Sequence, residues 1–347
     1  MKKVFILLLI ISTVVALSLM GCKTTTTETT AVATTAAETT AGATTAAETT
    51  AATTAAKTFK VAYVARAQAD SFAAWLANAI IEEAKKYPNI KLDVFDGQAN
   101  DEKENSLIEN AITAKYDLII VQPNNGEAQR PYVEKIVAAG IFAITTNARI
   151  SGIEGASSVD ANPYEQAAVN ARAAVTQVPQ NAKVVVLKGP PGNFHADERR
   201  KSWQIEFFDK RPDVEIVGEQ IANWNKDEAM KYMEDWVQAN DVIDAVIAMN
   251  DNMCAGALEV VKDNPKYKNM FSYGVDGTVE ALLLIKDGKM TSTCLQNAFE
   301  LAEKLLDSSD KLLTGQIKQI DTDIGNPLVN KDNVDQFIEI MKKAGAM

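Results

Sequence analysis

Short apolar runs rich in Val, Ile and Phe alternate with segments of helical periodicity from residue 58 to the end of the chain. The runs are about 4–8 residues long, the usual length of a buried strand. Pro88, Gly140, Pro212 and Gly288 interrupt the helical segments at their ends. The pattern predicts strands at 59–65, 91–95, 118–122, 141–145, 183–187, 214–217, 244–249 and 271–275.

The segments between these strands place apolar residues at helical spacing. They predict helices near 72–86, 101–114, 129–139, 195–209, 226–238, 253–262 and 278–286. Continuous apolar strands between helices are typical of parallel sheets that are covered on both faces. About 290 residues suffice for two packed units. The pattern therefore predicts an α/β chain folded as two doubly wound, Rossmann-like lobes.

In doubly wound sheets a ligand binds beyond the carboxyl ends of the strands, so the residues that follow each predicted strand are the candidate site. They are mostly Asp, Asn, Gln, Arg and aromatic residues, which suit a polyhydroxylated ligand: amides, carboxylates and guanidinium groups bond hydroxyls, and aromatic faces cover C–H faces. They fall at 66–72, 122–125, 147, 189–199, 224, 250–252 and 276.

The first 57 residues indicate export. Lys2 and Lys3 precede an apolar run of about 16 residues, which predicts a secretory signal over 1–21, because a bilayer span needs about 20. The run ends in LMGC, similar to a bacterial lipobox, which predicts lipidation of Cys22. Residues 22–57 are almost entirely Thr and Ala and predict a flexible tether.

Composition excludes several classes of partner. The net charge of −11, or −13 without Lys2 and Lys3, argues against nucleic acid and against anionic lipid. Apart from Cys22, the mature chain has only Cys254 and Cys294, too few for a disulfide framework. We interpret them as two separate buried thiols, and a disulfide between them stays an alternative.

Signals for nucleotide, metal and nucleophilic chemistry are weak. Neither GxxxxGK[ST] nor GxGxxG occurs, and the two prolines of GPPGNFHADERR (189–200) remove amide donors that a phosphate cradle needs. His195 is the only histidine, without HExxH, CxxC or GxSxG. We therefore predict no cofactor, no metal and no catalytic residue, and interpret His195 as a ligand contact.

Some of the candidate ligand contacts can also be explained by a purely structural role. The stretch after 244–249 reads Asn250-Asp251-Asn252, and short polar residues there can cap a helix. We expect Asn250 to face the cleft and Asp251 or Asn252 to cap the helix. Trp224 lies in a polar loop, so it is a candidate platform for a ligand, whereas Phe72 and Trp75 also fit the start of an amphipathic helix.

Six local stretches, taken in order, resemble the type I solute-binding proteins of bacterial sugar transporters, especially the glucose/galactose and ribose binders. They are ADSF, VVVLKGPPG, ANWNKDEAM, NDNMCAGALEV, YGVDGT and the glutamine that ends KMTSTCLQ. The resemblance covers about residues 60–330. It implies the type I periplasmic binding protein fold, with two lobes joined by a three-strand hinge that the chain crosses near 160, 297 and 325.

The resemblance also implies roles for single residues. Asp70 is similar to an N-lobe carboxylate, Phe72 and Trp224 to the two rings that stack on the sugar, and Arg199 to the arginine on its ring oxygens. The full predicted ligand set is Arg66, Asp70, Phe72, Asn147, Asn193, His195, Arg199, Trp224, Asn250, Asp276 and Gln296.

Departures from the family pattern leave the sugar open. Arg66 stands where hexose binders often carry a neutral residue, Ala148 where a charged one is frequent, and Trp75 adds bulk. A hexose, a pentose, an inositol and a short oligosaccharide all remain candidates. TQVPQNAKVVV lacks the carboxylates of the calcium loop of some hexose binders, so no structural metal is expected. We expect an N-terminal lobe over 58–160 with 298–324, and a C-terminal lobe over 161–297 with 325–347.

The predicted function is capture of a sugar by hinge closure and delivery to the permease of an ABC importer. We expect a monomer that is not an enzyme, anchored by lipid outside the cytoplasm, at the cell surface or in the periplasm. A chemoreceptor component and an exported sugar-processing enzyme, with Asp70 and Asp276 as paired carboxylates, are the alternatives. A related repressor would need a DNA-binding helix-turn-helix where the signal and tether stand.

Overall fold

The described part of the chain forms two six-stranded sheets in a computed structural model. The structure describes residues 57–343 and 345–347. The predicted signal, Cys22 and the tether up to residue 56 lie outside the described residues. The strands are β1 Phe59–Ala65, β2 Ile90–Asp96, β3 Leu118–Val121, β4 Phe142–Thr145, β5 Ala156–Ala161, β6 Lys183–Lys188, β7 Glu215–Ile221, β8 Ala245–Ala248, β9 Phe271–Asp276, β10 Ser292–Leu295, β11 Asp321–Ile324 and β12 Leu328–Asn330.

The strand order makes each sheet doubly wound. The first sheet runs β11-β5-β4-β3-β1-β2 and is parallel throughout. The second runs β12-β10-β9-β8-β6-β7, parallel except for β12, which pairs with β10 in the antiparallel direction. The predicted fold class, two α/β lobes with parallel sheets, is therefore confirmed.

Ten α-helices lie within the described residues. Several begin at an Asn or Asp whose side chain accepts hydrogen bonds from the first turn, as at Asn100, Asn125 and Asn193. The helices are α1 Ser71–Ala84, α2 Asp101–Thr113, α3 Gly126–Ala138, α4 Pro163–Gln177, α5 Phe194–Glu206, α6 Lys226–Ala239, α7 Asp251–Val261, α8 Val279–Lys286, α9 Ala298–Leu313 and α10 Val334–Lys343.

The chain passes between the two sheets three times. The passages lie between β5 and α4, between β10 and α9, and between β11 and β12. Helix α9 packs against α1 and β5 of the first sheet, and α4 packs against α5 and β10 of the second. The first lobe thus collects its strands from 59–161 and 321–324, and the second from 183–295 and 328–330.

The apolar pattern did not predict the elements around these passages. β5 reads ASSVDA, which has no Val/Ile run, although its side chains are all buried. β10, β11, β12, α4, α9 and α10 were also left out of the prediction. Helix α9 has an apolar face, but the preceding strand STCL is short and polar, so the alternation used to find the other elements stops there.

Two further features concern the interior and the membrane. Cys254 and Cys294 are buried and are not bonded to each other, in accord with the interpretation as separate thiols. Across 57–343 and 345–347, none of the helices combines the length and the hydrophobicity that crossing a bilayer requires.

Candidate functional site

A small cavity lies where the carboxyl ends of the two sheets face each other. Its volume is about 20 Å³, more than the roughly 10–15 Å³ that one water molecule needs on the same measure. All of the residues that line it were predicted from the sequence as ligand contacts. They are Arg66, Phe72, Asn147, Asn193, His195, Arg199, Trp224, Asn250 and Asp276.

Arg199, on α5, is held by groups around the cavity. Its Nε and Nη2 donate to Oε1 of Gln166 at 3.0 and 2.7 Å, and its Nη1 donates to the carbonyl of Met249 at 2.7 Å. Nη2 also donates to Oε1 of Gln296 at 2.9 Å. The guanidinium is only 3% exposed, so this network fixes its plane at the cavity wall.

Gln296 was predicted as a ligand contact, but it does not line the cavity. Its Oε1 accepts from Gln166 at 2.9 Å as well as from Arg199, and its Nε2 is buried without a hydrogen-bond partner. A buried amide donor without a partner is costly. Gln296 therefore positions Arg199 in this structure, and a donor stays free beside the site.

Asp276 and Asn250 form the wall opposite the first lobe. Oδ1 of Asp276 lies 3.6 Å from Nη2 of Arg199, and burial raises the pKa of this carboxyl well above its usual range. Asn250 lines the cavity and also caps α7, since its Oδ1 accepts from the amide of Met253 at 2.9 Å.

The prediction that Asp251 or Asn252 caps α7 is wrong. Asp251 is buried and accepts from the hydroxyl of Thr293 at 2.6 Å and from the amide of Thr278 at 2.9 Å. Asn252 donates to the carbonyl of Trp224 at 2.8 Å. Because Asn250 alone combines an extended backbone with a side chain near the first turn, it takes the capping role.

Trp224 is the large ring on the second lobe. The guanidinium carbons of Arg199 and Arg66 lie 5.5 and 6.0 Å from its centroid, within the range of cation–π attraction. Its ring packs so closely on Gly189 that an added Cβ would come within 2.2 Å of it. The first glycine of GPPG therefore makes room for this indole.

Phe72 is the aromatic contact from the first lobe. It is buried, and Trp75 packs against it edge-to-face with ring centroids 5.8 Å apart. Trp75 in turn packs edge-to-face on Phe299 at 5.5 Å. Trp75 was predicted to add bulk near the ligand, but it does not line the cavity. Its ring packs on Phe72 from the side away from the cavity.

Arg66 and Asp70 form a buried ion pair at the first lobe. Nη2 of Arg66 lies 2.8 Å from Oδ1 of Asp70, and both side chains are almost fully buried. The same Oδ1 caps α1 by accepting from the amide of Ala73 at 2.9 Å. Asp70 was predicted to contact ligand, but it does not line the cavity, and its Oδ2 is buried without a partner.

His195 links the two lobes. Its Nε2 lies 3.1 Å from both carboxylate oxygens of Asp160 at the end of β5, and its Nδ1 lies 3.3 Å from Nη2 of Arg199 and 3.4 Å from Nδ2 of Asn147. Since Arg199 can only donate, Nδ1 must be the acceptor and Nε2 must carry the proton. Burial lowers the pKa of His195, with Arg199 and Arg149 acting in the same direction, although Asp160 opposes them.

Both nitrogens of the His195 ring are therefore occupied by protein groups. His195 is one of the residues that line the cavity, and its contact with a ligand stays a prediction. Asn147 is oriented by Gln122, whose Nε2 donates to its Oδ1 at 2.9 Å. Asp160 also accepts from the amides of Asn147 and Arg149 at 3.1 and 2.9 Å.

The turn Gly192–Asn193 closes one rim of the cavity against the first lobe. The carbonyl of Gly192 accepts from the amide of Gly126 at 3.1 Å, and Nδ2 of Asn193 donates to the carbonyl of Asn124 at 3.1 Å. A Cβ on Gly192, which has a φ of +76°, would come within 2.9 Å of Asn125. The two lobes are thus in contact in this structure.

The backbone around the cavity adopts conformations that non-glycine residues rarely take. φ is +38° at Asn147, +62° at Trp224 and +125° at Asp276. Such conformations cost of order 1–3 kcal/mol each and cluster at ligand sites. Asn147 and Trp224 follow β4 and β7, and Asp276 is the last residue of β9, so all three lie at the carboxyl ends of strands.

Two residues of the site were missed in the sequence. Gln166 holds Arg199, and Asp160 accepts from His195. Asp160 lies within β5, one residue before its end, and no Val/Ile run marks that strand in the sequence. Asn162 and Pro163, a capping residue followed by a proline at the first helical position, were the signal for α4 and hence for Gln166.

Comparisons with known proteins agree with this geometry. A family model described as a periplasmic binding protein domain matches residues 61–317. The D-apiose import binding protein of Paraburkholderia graminis is 31% identical over 250 residues, 72% of this chain and 76% of that protein. The xylitol-binding protein of Mycolicibacterium smegmatis is 29% identical over 256 residues, 73% of this chain and 72% of that protein.

A solved structure is similar in fold and in sequence. The myo-inositol binding protein of Caulobacter, bound to myo-inositol, has a TM-score of 0.76 and 25% identity, and the match covers 80% of this chain and 95% of that one. The family match covers five strands of each sheet and ends before β11 and β12, and the cavity lies between the carboxyl ends of the two sheets. The chain therefore belongs to the periplasmic binding protein family, with the two-lobed type I fold.

Proposed function

We propose that this protein captures a sugar or a related polyol between its lobes and delivers it to an ABC importer. The observation that carries the proposal is the cavity itself, whose lining consists only of aromatic residues and hydrogen-bonding side chains from both lobes. Rings that cover C–H faces and side chains that bond hydroxyls are the chemistry of sugar recognition. Relatives named for xylitol and D-apiose binding support it.

The proposed mechanism is closure of the lobes around the ligand. Hydrogen bonds such as that from Gly126 to Gly192 form only when the lobes meet, so a ligand that contacts both walls shifts the equilibrium toward the closed form. The unpaired Oδ2 of Asp70 and Nε2 of Gln296 are an acceptor and a donor for ligand hydroxyls. The eleven predicted residues therefore stay the proposed ligand set.

The setting of this function is also part of the proposal. The protein acts as a monomer outside the cytoplasm, attached to the membrane by lipid on Cys22 and held away from it by the 22–57 tether. The closed form presents a surface to the permease. No enzymatic activity is proposed, because the relatives are named as binding proteins and both candidate carboxylates, Asp70 and Asp276, face guanidinium groups.

Calorimetric titration with D-ribose, xylitol, D-apiose and myo-inositol tests the proposal. We expect saturable binding of at least one of them at one site per chain, with the sugar recovered unchanged by chromatography after long incubation. The surface variant Arg130→Ala is the control and should bind as the wild type does. Turnover of a sugar, or absence of binding across the panel, would contradict the proposed function.

A further inference from the structure

Two hydrogen bonds join the lobes at the rim of the cavity, between the segment 123–126 and the turn 192–193. The amide of Gly126 donates to the carbonyl of Gly192 at 3.1 Å, and Nδ2 of Asn193 donates to the carbonyl of Asn124 at 3.1 Å. We call these two bonds the closure contact. Of its four residues only Asn193 lines the cavity, so the bond from Gly126 joins the lobes without touching the ligand space.

The closure contact lies away from the hinge. The segment 123–126 follows β3 and the turn 192–193 follows β6, whereas the passages between the lobes adjoin β5, β10 and β11. In the strand order, β3 is two strands from β5, and β6 is three strands from β10. Since neighbouring strands are about 4.8 Å apart, the contact is roughly 10–15 Å from the hinge strands, and rotation about the hinge separates its two halves.

Glu104 of α2 holds the first-lobe half of the closure contact. It is fully buried, and its Oε2 accepts from the amide of Asn124 at 3.1 Å. Within the described residues this is the only hydrogen bond that the carboxyl makes. Burial raises its pKa to about 8, so the carboxyl is mostly protonated at pH 7. A buried acid that bonds only to this backbone amide contributes chiefly the shape of the segment 123–126.

Two further side chains support the same segment. Oδ1 of Asp101, also on α2, accepts from Nδ2 of Asn124 at 2.7 Å. Oε1 of Gln129 accepts from the amide of Asn125 at 2.8 Å. All of these bonds lie within the first lobe, so they do not depend on whether the lobes are in contact.

The second-lobe half is fixed in the same way. Gly192 has a φ of +76°, which favours glycine, and Asn193 caps α5. Oδ1 of Asn193 accepts from the amides of His195 and Ala196 at 3.1 and 3.2 Å, which leaves its Nδ2 to bond the facing lobe. Both halves are therefore built before they meet, and a preorganised contact forms with little loss of conformational entropy.

We infer that Glu104 and Asp101 are positioning residues for lobe closure, which fix the segment 123–126 and so prolong the closed form equally for every ligand. This inference rests on the proposed function. Neither residue lines the cavity, so neither selects among ligands. The closure contact forms only when the lobes meet. It therefore slows release of the ligand and leaves its entry into the open form unchanged.

Gly126→Pro tests the closure contact, because it removes the amide donor. Gly126 is the first residue of α3, where proline is tolerated, and Asn125 before it has the extended backbone that proline requires. Gly126→Ala is the matched control, since it keeps the amide and its Cβ would meet atoms only at 3.8 Å or beyond.

The measurement is ligand release by stopped-flow tryptophan fluorescence, with D-ribose, xylitol, D-apiose and myo-inositol. We expect Gly126→Pro to release each of these ligands that the wild type binds roughly 10-fold faster, the effect of one hydrogen bond, with an unchanged association rate. Gly126→Ala should release them at the wild-type rate.

A second matched pair tests the positioning role. Glu104→Met keeps the length of the side chain but removes the acceptor for the Asn124 amide, and it should release the ligands roughly 3-fold faster. Glu104→Gln keeps an acceptor oxygen and the shape of the neutral carboxyl, so it should restore the wild-type rate. A loss of stability alone would not change the release rate. The affinity ratios among the ligands should be those of the wild type in all four variants.

Several results would overturn the inference. They are equal release rates in Gly126→Pro and Gly126→Ala, a wild-type rate in Glu104→Met, and affinity ratios that change in either pair. If thermal melting shows that Glu104→Met does not fold, Asp101→Ala and Asp101→Asn give the same comparison, because Asn keeps the acceptor oxygen for Asn124. A wild type that binds none of the four ligands would end the proposed function, and this inference with it, whereas equal rates within the pairs end the inference alone.

Discussion

Two arginines lie over the same indole ring, but the protein holds them in different ways. Arg199 donates to Gln166, Gln296 and the carbonyl of Met249, which all lie with Arg199 in or next to the second lobe. Arg66 has one carboxylate partner, Asp70, and otherwise meets the Trp224 ring of the facing lobe. Separation of the lobes would therefore expose Arg66 to water but leave the Arg199 network in place. The comparison thus separates an arginine that one lobe holds by itself from an arginine whose burial depends on the facing lobe.

Loss of Arg199 should have the largest effect. Arg199→Met leaves Oε1 of Gln166 and the carbonyl of Met249 without the donor they have from Arg199, and Asp276 without its cation. Breaking a buried charged pair costs about 3–5 kcal/mol of unfolding free energy. We expect a fall of that size in urea denaturation and loss of sugar binding in calorimetry.

The control for Arg199 is its neighbour on α5. Arg200 pairs with Glu219 at the partly exposed surface, so Arg200→Met should cost no more than about 1 kcal/mol. The double variant Arg199→Met/Asp276→Asn should recover part of the lost stability, because it removes the unpaired carboxylate. Equal effects of Arg199→Met and Arg200→Met would contradict the comparison.

Removal of the shared ring should have the next largest effect. Trp224→Ala deletes the ring that both arginines face and on which the ligand is proposed to stack, and we expect sugar affinity to fall by roughly 1–3 kcal/mol. Trp224→Phe keeps an aromatic face and should lose less. Unchanged affinity of Trp224→Ala in calorimetry would remove the ring from the proposed ligand set.

Neutralising Asp70 should have a smaller effect on stability. Asp70→Asn keeps the cap of α1, since Asn caps helices about as well as Asp, and Arg66 can gain water when the lobes open. We expect a loss of about 1 kcal/mol or less in urea denaturation. Asp70→Ala, which also removes the cap, should lose about 1 kcal/mol more. If Asp70→Asn lost as much unfolding free energy as Arg199→Met, opening of the lobes would not hydrate the unpaired Arg66 guanidinium.

The two arginines also show what could be predicted from the sequence. Arg66 was found because it directly follows a strand that has a clear apolar run, and the same rule placed Asn147, Trp224 and Asn250 at the cavity. Arg199 lies within α5, in the stretch 189–199 after the predicted strand 183–187, and its role was taken from the family resemblance. What differs between them could not be predicted. The partner of Arg199, Gln166, lies on α4 and comes to it from 33 positions away along the chain.

The passages between the lobes were the other limit of sequence interpretation. β5 is a buried strand without an apolar run, because its serines and Asp160 bond to residues of distant segments. In the sequence, polar residues of this kind are typical of a loop. They form a buried strand only because residues from distant segments of the chain satisfy their hydrogen bonds. For that reason Asp160 and the pairing of His195 could be seen only in the structure.

The smallest expected effect is a pH dependence of closure through His195. In the closed structure Nδ1 accepts from Arg199, and burial lowers the pKa of the ring below its ordinary value of 6.5. When the lobes separate, His195 leaves Asp160 and regains water, so the open form binds more protons below pH 6.5 than the closed form does. Closure is then fully favoured above pH 6.5 and weakens as the pH falls below it.

We therefore expect the affinity of the wild type for its sugar to decrease between pH 6.5 and 5 in calorimetry. His195→Gln is the matched variant, because its amide can donate to Asp160 and accept from Arg199 without titrating. It should bind with an affinity that changes little over this range. The same decrease in His195→Gln would show that another group causes the pH dependence. The contacts of His195 with Asp160 and Arg199 would then not make closure depend on pH.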